Sequence, residues 1–314
     1  MEFGLTRNIE RLPRRYEVMA HGAINHLNGA STWLRRFREG GGMGGLASRV
    51  EFTLSSFAPG LELLTGGDQA TGPNVLELGP GKTPHVAAAF ALCGASSVVG
   101  LDIVANIDSA TVRSSRRYQE LAASLTDGPA SNFREALGAS SEAVRERVNS
   151  DSPLPIVFGG FDGHMLPLPT SSIDVVVSGS TLEHVRRESL DPLLVELRRV
   201  LRPRGGMVHW IDLRDHFSIT GYLTVTGDWL RALRYSDAEY EQMFSNRPIY
   251  VNRLRSGEWR DAFGRAGFDI RGWEEHRLPL PVDFERSAIG PRWQDLSDEE
   301  LEVSVVEATL SVSD

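Results

Sequence analysis

The spacing of apolar positions along the chain changes near residue 74. Residues 1–70 read as helical segments and loops, interrupted by the run Gly40-Gly41-Gly42-Met43-Gly44-Gly45, whose composition suits a flexible linker. Beyond that point short apolar runs alternate with longer helical stretches, the pattern of a parallel sheet with crossover helices. Strands are predicted at 74–78, 97–102, 154–158, 173–178 and 206–212. Helices are predicted at 84–92 and 190–201, the second closed by Pro203 and the Gly205-Gly206 pair. A further helix over 257–266 precedes a closing pair of strands at 268–277 and 303–312. The prediction is a doubly wound α/β domain over 71–314 with an N-terminal helical cap over 1–70. Two stretches exceed the length of plain connections: 105–153, with helical patterns over 116–125 and 132–148, and 213–255, rich in Tyr, Trp and Arg. Inserts that follow strand ends sit at the ligand edge of such a sheet, so both are expected to shape specificity.

Composition narrows the partner. The chain has 314 residues, of which 41% are hydrophobic and 24% charged, the proportions of a globular protein. Its 33 Lys and Arg stand against 42 Asp and Glu, a net charge of −9, which disfavours a broad grip on nucleic acid or anionic membrane. The longest mainly apolar stretch, 86–101, contains Gly94, Ser96 and Ser97 and is shorter than the roughly 18 residues of a membrane helix. Charges at Glu2, Arg7, Glu10 and Arg11 precede any apolar run, so no secretory signal is expected. The single cysteine, Cys93, cannot form an internal disulfide or a multi-cysteine zinc site, which fits a reducing cytoplasm. A small molecule is the expected partner, with neither membrane nor nucleic acid, and a homodimer is compatible with the sequence.

The most informative segment is Val75-Leu76-Glu77-Leu78-Gly79-Pro80-Gly81-Lys82-Thr83-Pro84, a strand, a tight glycine turn and a helix start. Gly79 and Gly81 permit close backbone approach to a ligand, Thr83 suits an N-cap and Pro84 the first helical position. A dinucleotide fingerprint would need a third glycine where Pro84 stands. Asp102, 21 residues past Gly81 at the end of the second strand, can accept hydrogen bonds from both hydroxyls of a ribose. The pattern therefore favours ribose binding and disfavours pyrophosphate binding.

At these residues the sequence resembles the class I S-adenosylmethionine-dependent methyltransferases. The likeness continues at Phe161-Asp162-Gly163-His164-Met165-Leu166-Pro167-Leu168-Pro169, similar to the family's adenine-binding stretch, at 173–185, and at the helix-to-strand junction 198–206. It implies a Rossmann-like seven-stranded sheet and S-adenosyl-L-methionine as cofactor, leaving S-adenosyl-L-homocysteine as product. It further implies that the turn Gly79, Pro80 and Gly81, the strand end at Ser178 and the nearby Glu77 hold the amino-acid part. Asp102 with Ile103 beside it would hold the ribose, and Asp162 with the Gly163 amide the adenine, whose face Met165 or Leu166 can cover. Some relatives place a metal on Glu-x-x-Glu-His; here Ser180 replaces the first glutamate of the stretch ending Glu183-His184, and no metal is expected.

Methyl transfer from a sulfonium is an in-line displacement, so alignment supplies much of the acceleration. An alcohol acceptor must also lose its proton, and a histidine or carboxylate can take it. His184 is the first candidate base, followed by His216 and Asp215; Glu183-His184 would equally serve to orient the following helix. His209 is expected in the core and Asp212 at the strand end. Tyr222, Trp229 and Arg253 are candidate acceptor contacts, although such residues also pack a helical cap. The expected reaction is O-methylation of a sugar, glycan precursor or secondary metabolite, with N- or C-methylation and then RNA methylation as alternatives.

Overall fold

The computed structural model describes residues 18–19, 46–65, 72–81, 85–103, 116–127, 130–150, 152–161, 164–216, 219–221, 224–225, 228–245 and 250–313. The chain divides into two compact units. One comprises Gly44–Asp212, Ser256–His276 and Val305–Asp314; the other takes the described part of Met1–Met43 with Leu213–Arg255 and Arg277–Ser304.

The first unit is built on a seven-stranded sheet. Its strands are β1 (Asn74–Leu78), β2 (Ser97–Asp102), β3 (Ile156–Gly160), β4 (Ile173–Gly179), β5 (Leu201–Asp212), β6 (Phe268–Arg277) and β7 (Val303–Val312). The order is β3-β2-β1-β4-β5-β7-β6, with β1 to β5 parallel and β7 antiparallel to β5. Central β1 and β4 are almost entirely buried because both faces are covered, as a parallel sheet requires.

Among the described residues seven helices cover it: α1 (Leu46–Thr65), α2 (His85–Cys93), α3 (Arg116–Asp127), α4 (Ser131–Ala136), α5 (Ser141–Asn149), α6 (Arg187–Val200) and α7 (Ser256–Arg265). Val75, Val175, Val177 and Val208 point to one face, where they share a core with α1 to α5. His209, one residue past Val208, points to the other face and stacks on Phe263 of α7, the ring centroids 6.0 Å apart. Every residue of α2 from Val86 to Cys93 is buried, so this short helix is wrapped on all sides.

Two expectations change here. Residues 46–65 form no separate cap: Leu54, Phe57, Ala58 and Leu61 recur at helical spacing and bury one face of α1 in the sheet's own core. The approach is close, since a Cβ added at Gly206 of β5 would lie 2.2 Å from Leu64 of α1 and 2.4 Å from the Leu310 carbonyl oxygen. The 105–153 insert likewise turns inward. Leu121, Leu125, Phe133 and Val144 of α3 to α5 enter that core, with Phe133 edge-on to Phe90 of α2 at 5.0 Å. The Gly40 to Gly45 run lies outside the described residues.

The second unit has two apolar clusters. One gathers Val18, Ala232, Tyr235, Tyr240, Met243, Phe244 and Val251; the other gathers Trp229, Leu230, Leu233, Ile289, Trp293 and Leu301. Its helices Asp237–Phe244 and Asp298–Glu302 each begin with a reciprocal capping box, Ser236 with Glu239 and Ser297 with Glu300. A short antiparallel ribbon pairs Ile219–Gly221 with Thr224–Val225. Among the described residues no helix is long and apolar enough to cross a membrane.

The α1 contact gives a direct test. Gly206→Ala should destabilise the protein by about 1–3 kcal/mol, because the Leu310 carbonyl oxygen, unlike the Leu64 side chain, cannot swing away from the new methyl. Gly264→Ala in α7, where nothing lies within 4 Å of the added Cβ, should stabilise it by about 0.5–1 kcal/mol. Thermal unfolding of the two variants beside the parent checks both signs.

Candidate active site

The site grows from the end of β1. Glu77 is buried between neighbouring strands, and its Oε2 accepts the Ala87 N–H at 2.9 Å, tying the strand to the first turn of α2. Burial pushes its carboxyl up to about 8; the Ala87 bond opposes the shift and the Asp102 charge adds to it. The chain then turns through Gly79 and Gly81, both in the left-handed region at φ +67° and +58°. The Gly79 N–H donates to the Leu101 carbonyl oxygen at 2.8 Å, and the Gly81 N–H to Asp102 Oδ2 at 3.1 Å. Pro80 is buried beside β2, where a Cβ at Gly100 would stand 3.3 Å from its ring. Ile103, beyond Asp102, is 71% exposed.

This edge suits the ribose and amino-acid parts of S-adenosylmethionine. Asp102 offers carboxylate oxygens at a strand tip, and Gly81 lies open, with only the Gly79 oxygen, at 4.0 Å, near an added Cβ. Lys82, Thr83, Pro84, Asp162 and Gly163 lie outside the described residues. The stretch after Gly163 is held by α6: Leu166 N–H donates to Glu196, while Arg199 donates to the carbonyls of Leu166 and Leu168 at 3.1 and 2.9 Å. The hydrogen bond from Arg199 lowers the Glu196 carboxyl below its ordinary value. Leu166 is thereby in the core, leaving Met165, 70% exposed, as the apolar surface available to a base.

At the end of β4 the Ser178 side chain packs into the core. It is fully buried, and its hydroxyl lies 2.7 Å from His209 Nδ1 of β5, so only the strand's backbone remains to face a ligand. Burial pulls the His209 imidazole down to about 3, which keeps it neutral at physiological pH. His209 is thus in the core, as its strand position implies, and Asp212 ends the strand almost buried. Ser180 takes φ +49°, and its N–H donates to the Trp210 carbonyl at 2.9 Å. A single 3₁₀ turn, Leu182–His184, follows; the His184 N–H closes it on the Thr181 carbonyl at 3.0 Å, with Glu183 buried and His184 half-buried. Thr181 escaped notice in the sequence because no motif marks it; its place emerges only when β4 is paired with β1.

Asp215 and His216 belong to the second unit, where Asp215 is buried and donates its N–H to the Trp229 carbonyl at 2.8 Å. Arg253 is no free acceptor contact. It is 7% exposed at φ +61°, donates to the carbonyls of Ala232 and Tyr235 at 3.1 and 2.7 Å and pairs with Asp237. Its guanidinium also lies 4.2 Å from the Tyr240 ring centroid. These contacts spend its donors on folding the unit. Trp229 is mostly core, its Nε1 bonded to the Pro279 carbonyl at 3.3 Å, with one edge on a cavity of about 480 Å³ shared with Asp228, Arg234 and the 278–283 segment. Tyr222 lies outside the described residues.

A family model described as a methyltransferase domain matches residues 133–209, from α4 through β3 and β4 into β5. Over this segment the chain is similar to methyltransferase domains, in keeping with the resemblance read from the glycine turn and Asp102. The match includes the β4 end with Thr181 and His184, while the glycine turn and Asp102 precede it. Among solved structures, the chain is similar to an S-adenosylmethionine-dependent methyltransferase from Mesorhizobium loti. They share 18% identity over 82% of this chain and 97% of that one, with a TM-score of 0.42. One from Methanosarcina mazei shares 13% identity over 78% and 94% of the two chains, with a TM-score of 0.44. The trans-methyltransferase CalH, solved as a complex with SAH, shares 14% over 96% and 66%, with a TM-score of 0.46. No curated protein matches the chain significantly.

Two outcomes follow for this site. Asp102→Ala should weaken S-adenosylhomocysteine binding by about a hundredfold in isothermal titration, because charge-assisted hydrogen bonds are lost. Glu77 should make the unliganded protein less stable as pH rises. Its folded pKa of about 8 lies above the ordinary carboxyl value of 4.5, so the folded state holds a proton that the unfolded chain gives up. The Glu77 contribution is complete below about pH 4.5 and is lost as pH rises through about 8. Melting curves of Glu77→Gln should lack that component of the decline.

Proposed function

We propose that this protein methylates an oxygen of a small molecule, a sugar, glycan precursor or secondary metabolite, with His184 as general base. The observation that carries the proposal is the placement of His184: half-buried, on a closed 3₁₀ turn at the ligand edge, three residues beyond Thr181. When bound, S-adenosylmethionine supplies the electrophilic methyl group. His184 would take the hydroxyl proton on an imidazole nitrogen as the acceptor oxygen bonds to the methyl carbon and the C–S electron pair passes to sulfur. The close backbone of the glycine turn and Asp102 would fix the donor, so that alignment carries much of the acceleration.

A small acceptor accords with the net charge of −9. The second unit is our candidate for acceptor choice: its cavity, edged by Trp229 and Leu280 with Asp228 and Asp283, has the volume of a small-molecule site. A cytoplasmic setting accords with Cys93, which is buried, with its thiol pushed up to about 12 and therefore unreactive.

Radiolabelled S-adenosylmethionine with panels of hydroxylated, amino and RNA acceptors tests the proposal. Label should appear on a hydroxyl of a small molecule, whereas transfer confined to nitrogen, carbon or RNA overturns it. His184→Gln should keep S-adenosylhomocysteine affinity and lower kcat by about 10²- to 10⁴-fold. An unchanged kcat removes His184 as base.

A further inference from the structure

We propose that Thr181 is a positioning residue that locks the cofactor turn after β1 to the turn that carries His184. The proposal rests on the functional reading above only for the role of His184.

Three observations converge on this side chain. Its Oγ1 donates to the Leu78 carbonyl at 3.1 Å and reaches the Gly179 carbonyl at 3.2 Å, bridging the ends of β1 and β4. Its body fills the space above Gly79, where an added Cβ would lie 2.5 Å from both Thr181 Cγ2 and Oγ1. Its backbone carbonyl accepts the His184 N–H at 3.0 Å. One residue therefore touches the glycine turn through its hydroxyl and methyl, and the 3₁₀ turn through its main chain.

The neighbouring backbone is built to hold it there. Ser180 adopts φ +49°, a conformation costly for a residue with a side chain, and its N–H is held by the Trp210 carbonyl of β5. Two residues earlier, Ser178 is held by the buried His209. Anchored on β5 at two points, the strand end cannot swing away, and the strained step at Ser180 aims Thr181 across to β1. Regular strand geometry at Ser180 would send the following residue elsewhere. Gly79 is consequently constrained twice, by its own φ and by a side chain 102 positions away, and the height of the turn is set from the β4 side.

Val and Ser separate the two contacts, because Thr181→Val keeps the branched shape without the hydroxyl and Thr181→Ser keeps the hydroxyl without the methyl. Hydrogen–deuterium exchange and S-adenosylhomocysteine titration of the full chain, well below the melting temperature, read the outcome. Thr181→Val should speed exchange over 76–81 and over 182–185 and weaken binding roughly three- to tenfold, the scale of one hydrogen bond. Thr181→Ser should stay within about twofold of the parent in affinity, a conservative rescue that a general packing defect would not show. Equal exchange and equal affinity in Thr181→Val would overturn the proposal, as would faster exchange spread evenly over the sheet. Should Thr181→Val not fold, a Thr181→Ser variant as defective as Thr181→Ala would count against it. If instead the parent itself binds no S-adenosylhomocysteine, the cofactor assignment fails while the exchange data still decide the role of Thr181.

Discussion

The structure turns on how tightly Gly79 is held. Its N–H is bound to the end of β2 through Leu101, and Thr181 from the end of β4 occupies the space of its missing side chain. A doubly wound sheet leaves a crevice where neighbouring strands send their connections to opposite faces, and β1 with β4 makes that crevice here. Confining the glycine backbone between two strand ends fixes where Gly81 emerges, and Gly81 in turn sets the distance to Asp102. The geometry of the turn is thus a property of strand pairing.

Below that edge two buried titratable groups are held toward their neutral forms, each with one hydrogen-bonded atom. Glu77 and His209 lie where an unpaired charge would be costly, and burial shifts each toward its uncharged form, up for the acid and down for the imidazole. Each also spends a polar atom on a specific partner, Ala87 for Glu77 and Ser178 for His209. The first bond joins β1 to α2 and the second joins β4 to β5, so the framework beneath the ligand edge is cross-linked by hydrogen bonds that need no charge. Asp102, half-buried at the tip of β2, instead accepts the Gly81 N–H from the turn.

Much of this was legible in the sequence. β1 and β2 fall on the predicted residues 74–78 and 97–102, because alternation of short apolar runs with Gly, Pro and Ser punctuation is a local signal. The third strand begins at Ile156, two residues later than predicted, because Pro155 cannot join the ladder through its nitrogen. Side-chain destinations were less legible. Arginine beside aromatics suits a ligand surface and an internal clamp equally, and Arg253 proved to be a clamp only once Ala232, Tyr235 and Asp237 were brought around it. Ser178 was read from its position on the strand, but its hydroxyl answers to His209, 31 residues on. Helix α1 looked like a cap because amphipathic spacing does not say which face it will cover. Gly206, unremarkable in sequence, is the contact that admits it to the sheet.

The most direct measurement is a crystal structure of the protein soaked with S-adenosylhomocysteine. The Asp102 carboxylate should bond both ribose hydroxyls, with the amino-acid part over the Gly79 to Gly81 turn and Thr181 still joined to the Leu78 carbonyl. A ligand bound away from the β1 and β2 ends, or a ribose not touching Asp102, would contradict the account.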